Sequence, residues 1–262
     1  MSLSLGVHTV ASASASVVTS AGINTAASGN GFVALFWWSS GVAFTSLVDS
    51  RSQTWVQIGS ETLDATFGGR FRAYYVPNNA GGTGQTVTLT VSATGTLTIY
   101  VFEVTTTNGA GILIDQNTAF NLQKASPFVS PSMTTTVAND FIVGIAADNE
   151  SASATYTAGS GYTLINVEQN TSFWTGMCEW KIGASITSYT ADYTNANVTT
   201  SDIGILSFSE AAAGGATPFG SHIRPRTRPS NRRFKRSTQG DITLTIVVTV
   251  PSHLYTTMGV GK

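Results

Sequence analysis

Charge is what this chain has least of. Charged side chains make up 10% of its 262 residues, against about 25% in an ordinary soluble domain. There is one cysteine, Cys178, so no intrachain disulfide framework is available. It lies in Trp174-Thr175-Gly176-Met177-Cys178-Glu179-Trp180 with no histidine nearby in sequence to act as a base. It is expected to be a small buried hydrophobe. The three histidines, His8, His222 and His253, are far apart. The chain has no HExxH, no paired cysteines and no histidine pair at metal spacing, so neither a metal site nor a cofactor is expected. A glycine-rich phosphate loop with its lysine is missing too. Gly159-Ser160-Gly161 is not the Gly-x-Ser-x-Gly of a nucleophile elbow and reads as a turn. No apolar run approaches the roughly 18 residues of a membrane span, so no membrane insertion is expected.

The deficit is filled by Ser, Thr, Gly, Asn and Ala. Thr, Val, Ile and the aromatics favour strands, while Gly and Asn supply turns. Gly31–Trp38, Leu97–Val104, Phe141–Ala146 and Ile203–Phe208 are continuous apolar runs bounded by turn residues, the pattern of strands covered on both faces. Thr86–Val91 alternates strictly, and Phe71–Val76 stops at Pro77, which has no N–H for a ladder. Thr54–Ile58, Tyr162–Val167, Phe173–Lys181 and Tyr189–Tyr193 complete the set. The four apolar runs follow Gly29-Asn30-Gly31, Thr94-Gly95, Asn139-Asp140 and Ser201-Asp202. That shared punctuation fits either faint internal symmetry or ordinary turn chemistry, the latter being the simpler reading. The expectation is an all-β, jelly-roll-like, two-sheet antiparallel sandwich over residues 1–210. A chain of this length buries enough core to need no staple.

Beyond Glu210 the character changes. Residues 1–210 carry five basic and 13 acidic side chains, a net of −8, while residues 211–262 carry eight basic and one acidic, a net of +7. Residues 211–240 read as a flexible basic linker containing Arg224, Arg226, Arg228, Arg232, Arg233, Lys235 and Arg236. Those seven are the candidate contacts for an acidic partner surface. Nucleic acid is the weaker alternative, because Phe234 is the lone aromatic among them and single-strand binders interleave stacking rings with their charges. Residues 241–262 hold Ile242, Leu244, Ile246, Val248 and Val250 at period two. One strand is not stable alone, so this segment pairs either with its own sandwich or, as an assembly arm, with a neighbouring subunit.

The order of motifs is itself informative. Asp49-Ser50-Arg51-Ser52-Gln53-Thr54-Trp55 is followed by Ala73-Tyr74-Tyr75-Val76-Pro77-Asn78-Asn79-Ala80-Gly81-Gly82, then Thr86–Thr90, Val101-Phe102-Glu103-Val104, Ala138-Asn139-Asp140-Phe141, Gly159–Thr163 and Leu206-Ser207-Phe208. The series resembles a jelly-roll-like β-sandwich module that recurs in bacterial extracellular proteins and in phage virion proteins. It covers about residues 15–210 and leaves out the tail. The resemblance implies a binding or structural module on a surface and brings no catalytic residues with it.

Three side-chain groups remain as candidates for chemistry. Glu103 and Glu179 interrupt strands of large apolar residues. A buried carboxylate needs a partner, and Arg70, Arg72 or Lys181 would serve. Two facing carboxylates would instead suit a glycoside hydrolase. Asp148-Asn149-Glu150 offers oxygen ligands for calcium but reads as a solvated loop. Among the aromatics, Trp174, beside Asn170-Thr171-Ser172, is the candidate glycan contact. Met1–His8 has neither the basic region nor the apolar run of a signal peptide. An extracellular-looking protein made without export suits a virion released on lysis. The expected function is therefore a non-enzymatic, phage-type virion surface protein that forms homo-oligomers or binds other virion proteins. A carbohydrate-binding or adhesion module, with a host-surface glycan as ligand, comes second. A glycan-active hydrolase comes third.

Overall fold

The computed structural model describes residues 3–26, 28–64, 68–118, 121–123, 126–148, 155–169, 175–195 and 200–213. The chain divides into two units, Met1–Gly215 and Ala216–Lys262. The arginine-rich segment and the strand expected at 241–250 belong to the second unit and lie outside the described residues; Trp174, in the first unit, also lies outside them.

Every regular element described is a strand. The first half of the chain supplies β1 (Ser4–Thr19), β2 (Ile23–Thr25), β3 (Gly31–Ser39), β4 (Phe44–Asp49), β5 (Val56–Asp64), β6 (Gly69–Val76), β7 (Gly82–Gln85) and β8 (Val87–Thr105). The second half supplies β9 (Ile112–Asn117), β10 (Asn121–Gln123), β11 (Phe128–Val129), β12 (Met133–Thr134), β13 (Asp140–Asp148), β14 (Thr157–Ala158), β15 (Thr163–Gln169), β16 (Thr175–Gly183), β17 (Ser188–Tyr189), β18 (Asp192–Thr194) and β19 (Ser201–Glu210). Two six-stranded antiparallel sheets result. Their spatial orders are β1-β8-β3-β6-β5, with β4 also on β8, and β10-β19-β13-β16-β15, with β9 also on β19. The antiparallel sandwich read from the sequence is therefore the architecture.

The two sheets repeat one topology. Reading β9 for β1, β19 for β8, β13 for β3, β16 for β6 and β15 for β5 maps one order onto the other. Each sheet is completed by its own half of the chain. The sheets face each other so that β1 lies beside β15 on one flank and β5 beside β9 on the other. This is the arrangement of a pseudo-twofold axis. Shared turn punctuation thus accompanies a repeated topology, where turn chemistry alone was the simpler expectation.

Burial follows from strand alternation. The inward residues of sheet one, including Val33, Leu35, Trp37, Tyr100 and Phe102, pack against Phe141, Val143, Ile145, Cys178 and Phe208 of sheet two in one core. Phe102 meets Phe141 at 6.2 Å and Tyr75 meets Phe208 at 5.7 Å between ring centroids. The outward residues of the same strands are buried as well. Phe32, Ala34, Phe36 and Trp38 lie under a second cluster with Val87, Leu89 and Val91. Ile142, Ala146, Ile203 and Ile205 lie under a third with Phe128, Met133, Tyr156 and Tyr193. Both faces of β3 and β13 are therefore covered, which is why their sequences are continuously apolar. Trp37 and Trp38 point to opposite faces and are both buried.

Two long strands were not legible as such. Val87–Val91 and Leu97–Val104 belong to the single 19-residue β8, with Thr86 just before it, and β1 spans 16 residues of mostly small side chains. The ends of β8 serve different partners. Leu97–Val104 pairs with β3, while Val87–Val91 pairs with β4.

The quoted motifs prove to be turn anchors. Asp49 is buried, and its carboxylate accepts from Arg51 N (2.6 Å), Gln53 N (3.3 Å) and Trp55 Nε1 (2.8 Å). Gln53 Nε2 donates to Asn79 Oδ1 (2.7 Å), and Asn79 Nδ2 donates to Gln85 Oε1 (3.2 Å), which also accepts from Thr25 Oγ1 (2.8 Å). Gly111 closes the turn before β9 at φ +88°, and a Cβ there would lie 2.1 Å from Pro77 O. Asp49→Ala would strand a part-buried indole N–H and two backbone donors. We predict a loss of about 3 kcal/mol in urea unfolding, with Asp49→Asn losing less because one side-chain oxygen acceptor remains.

Candidate functional site

A cleft of about 510 Å³ lies on the β5–β9 flank. Its apolar lining includes Ile58, Phe71, Ala73, Ile145 and Leu206 of the inter-sheet core, and its polar lining includes Ser60, Glu61, Thr62, Asn117 and Thr118. Among its lining residues Glu61 is the one ionisable group. It is already engaged, since Arg70 and Arg72 both reach its carboxylate, Arg72 Nε at 2.9 Å. Arg72 also lies over the Phe44 ring at 4.3 Å and donates to Tyr74 Oη at 3.3 Å. Tyr74 Oη in turn donates to Gln57 Oε1 at 3.0 Å. This half-exposed polar chain on β5 and β6 was not anticipated. The alternation Arg70-Phe71-Arg72 on a strand held a signal for it, because both arginines must leave by the same face.

The arginines thus do not pair with Glu103 or Glu179, contrary to expectation. Glu103 accepts from Ala26 N and Asn30 Nδ2, each at 2.8 Å. Glu179 Oε2 accepts from Gly159 N at 2.9 Å, and its Oε1 has no hydrogen-bond partner. Lys181 Nζ sits over the Tyr162 and Tyr189 rings at 4.0 and 5.3 Å and makes no ion pair with Glu179. The two glutamates cannot face each other. Phe102 and Val104 fill the inter-sheet core from β8, as Cys178 does from β16. Their strand neighbours Glu103 and Glu179 therefore point to the outer faces of opposite sheets. The paired-carboxylate geometry of a glycoside hydrolase is not formed by this pair.

Asp148 is also corrected. It is fully buried at the end of β13, not part of a solvated loop. Its oxygens accept from Tyr156 Oη and Tyr193 Oη, each at 2.5 Å. Burial, and then the Asp148 charge, push both phenols far above the ordinary tyrosine value. Asn149 and Glu150 lie outside the described residues. Gly159-Ser160-Gly161 is a turn, closed by Tyr162 N donating to Gly159 O at 2.9 Å. Cys178 is a buried free thiol. Burial raises it well above its ordinary value, with the neighbouring Glu179 charge adding to the shift. No cluster of metal-ligating side chains occurs among the described residues, and no helix is long and apolar enough to cross a membrane.

One carboxyl pair was missed. Asp140, 1% exposed, sits beside Asp115 and Ser207. Desolvation, reinforced by the Asp115 carboxylate, raises Asp140 to about 7. Desolvation also works to raise Asp115, but the Thr136 hydroxyl and amide outweigh it and hold that group below its usual value. Glu179 is raised to about 8, mainly by burial. Sequence could not reveal the pair, because Asp115 and Asp140 meet only when β9 and β13 flank β19.

Compared with protein-family models, with curated proteins and with solved structures, the chain matches none.

Asp140 and Glu179 are protonated more readily folded than unfolded. The folded chain then binds more protons between pH 4 and 8, so stability falls as pH rises through that window. We predict that Asp140→Asn and Glu179→Gln flatten this decline. Both variants should melt above the parent at pH 8.5 and near it at pH 5, read as Tm against pH.

Proposed function

We propose that this chain is a non-enzymatic structural protein of a phage-type virion surface, whose sandwich faces outward and whose basic C-terminal segment joins it to sibling subunits or to other particle proteins. One observation carries the reading. The central strands β3 and β13 are already buried on both faces by residues up to Glu210, so the alternating segment 241–250 is not needed to cover them. The −8 and +7 division of charge supports it, because unlike patches on successive subunits steer their encounter. The buried carboxylates support it as well, since each is held as a structural acceptor beneath a loop or strand. On this reading Arg224, Arg226, Arg228, Arg232, Arg233, Lys235 and Arg236 meet an acidic protein surface, and Ile242, Leu244, Ile246, Val248 and Val250 form the assembly strand. The protein then belongs to the released particle.

The β5–β9 cleft favours a second reading, a carbohydrate-binding or adhesion module, because an apolar lining joined by hydroxyl and amide groups suits a small polar ligand.

Light scattering of the full chain and of a chain ending at Gly215, at low and moderate salt, tests the first reading. An assembled full chain that weakens with salt, beside a monomeric truncation, is the expected result. Two monomers of equal stability would overturn it, and retention of both on glycan affinity gels would then support the cleft reading.

A further inference from the structure

We infer that the β5–β9 cleft takes a neutral pyranose unit, the uncharged end of a glycan, and discriminates against charged sugars; the inference rests on the cleft reading above.

The cleft is lined by β5 and β6 of one sheet and by β9, β13 and β19 of the other. Two departures from regular strand geometry accompany it. The β5–β6 ladder slips between Ile58 and Thr62, so Gly59, Ser60 and Glu61 stand outside it. Gly59 makes the bend at φ +61°, and a Cβ there would lie 2.6 Å from Asn117 Nδ2. Bulges of this kind re-aim side chains and are common beside active sites. On the facing side β9 stops at Asn117. Thr118 then turns onto β19, where its N–H donates to Ile205 O at 2.9 Å and its hydroxyl accepts from Ile205 N at 3.3 Å. β1, the counterpart of β9 in the repeated topology, runs for 16 residues where β9 runs for six. The two halves of the molecule thus diverge where the cleft lies.

The polar groups suit a ligand rich in hydroxyls. Ser60 and Asn117 are exposed, so their hydroxyl and amide can exchange water for the hydroxyls of a ligand. Both groups donate and accept. Glu61 adds an acceptor. Its Oε1 takes Arg70 Nη1, and its Oε2 takes Arg72 Nε at 2.9 Å and Nη2 at 2.7 Å. A carboxylate offers about four acceptor positions, so these three N–H groups do not exhaust it. Ile58, Phe71, Ala73 and Leu206 supply apolar surface beside these groups. A pyranose carries C–H groups on its ring faces and hydroxyls around its edge, which is the same division. The volume, about 510 Å³, falls within the roughly 300–1,000 Å³ of small-molecule sites.

The charge balance sets the class of sugar. Glu61 is already neutralised by two arginines, so it offers little to the ammonium of an amino sugar. The arginines offer no fork to the carboxylate of an acidic one. Neither is among the described lining residues. Arg70 Nε is committed to Ser40 O at 3.2 Å, and Arg72 Nη1 to Tyr74 Oη at 3.3 Å. A charged sugar entering the cleft would lose water without gaining a counter-ion, which is costly.

The test uses the full chain with isotope-labelled isoleucine and leucine methyl groups. It is titrated with the methyl glycosides of glucose, galactose, mannose and N-acetylglucosamine, and with glucuronate and glucosamine as charged probes. At least one neutral glycoside should shift the methyl signals of Ile58, Ile145 and Leu206, and the charged probes should bind more weakly than it does. Ser60→Trp, at an exposed position, should abolish the shifts by filling the cleft. Asn117→Ala should weaken binding by about threefold to tenfold. Circular dichroism verifies that each variant is folded, and Asn117→Ala decides the matter if Ser60→Trp misfolds. Charged probes that bind as tightly as the neutral glycosides, or that alone shift the cleft methyls, would overturn the neutral-pyranose assignment and leave the cleft reading standing. Methyl signals that stay put with every probe, or shifts that persist unchanged in both variants, would overturn both.

Discussion

The contact between the inner faces of the two sheets is what the rest of the molecule depends on. Trp37, Tyr100, Phe102, Phe141 and Phe208 fill it, and aromatic side chains of this size dominate the energetics of a core. Because β3 and β13 are apolar on their outer faces as well, the inner contact alone cannot stabilise them in water. Each sheet therefore needs a second cover. β4 and the first part of β8 supply it on one side, and the short strands β11, β12, β14, β17 and β18 help supply it on the other. The layers follow from one constraint, that no long apolar strand may show a bare face.

Those outer covers explain where the polar groups sit. Glu103 and Glu179 point outward from the sheets yet are buried, because loops and short strands close over them. Gly159 N on Glu179, Asn30 on Glu103 and the two tyrosines on Asp148 each fasten a covering segment to a sheet. An unpaired buried carboxylate is costly, and the response here differs by site. Asp148 and Glu103 are well supplied with donors. Asp140 and Glu179 are undersupplied and hold their protons instead. The same cost joins folding to pH.

Much of this was legible in the sequence. Continuous apolar runs revealed doubly covered strands, Pro77 marked the end of β6, and strict alternation placed Val87–Val91 in a strand. The length of β1 was not legible, because alternating Ala and Ser carry almost no hydrophobic signal and its place is set by pairing with β8. Charge partners were misassigned for a related reason. Arg70, Arg72 and Glu61 meet across the β5–β6 pair, and cross-strand neighbours depend on register, which a sequence does not state.

Composition and period by themselves determined the class of fold, the division between a net-acidic sandwich and a basic tail, and the identity of most core positions. These are local properties, fixed by side-chain chemistry and by the alternation of a strand. Tertiary structure alone decided that the two halves repeat one sheet order, that Glu103 and Glu179 lie on opposite outer faces, and that Asp115 meets Asp140. Each of these depends on which distant strands become neighbours, and that choice is made by the packing of whole sheets, not by any short stretch of chain.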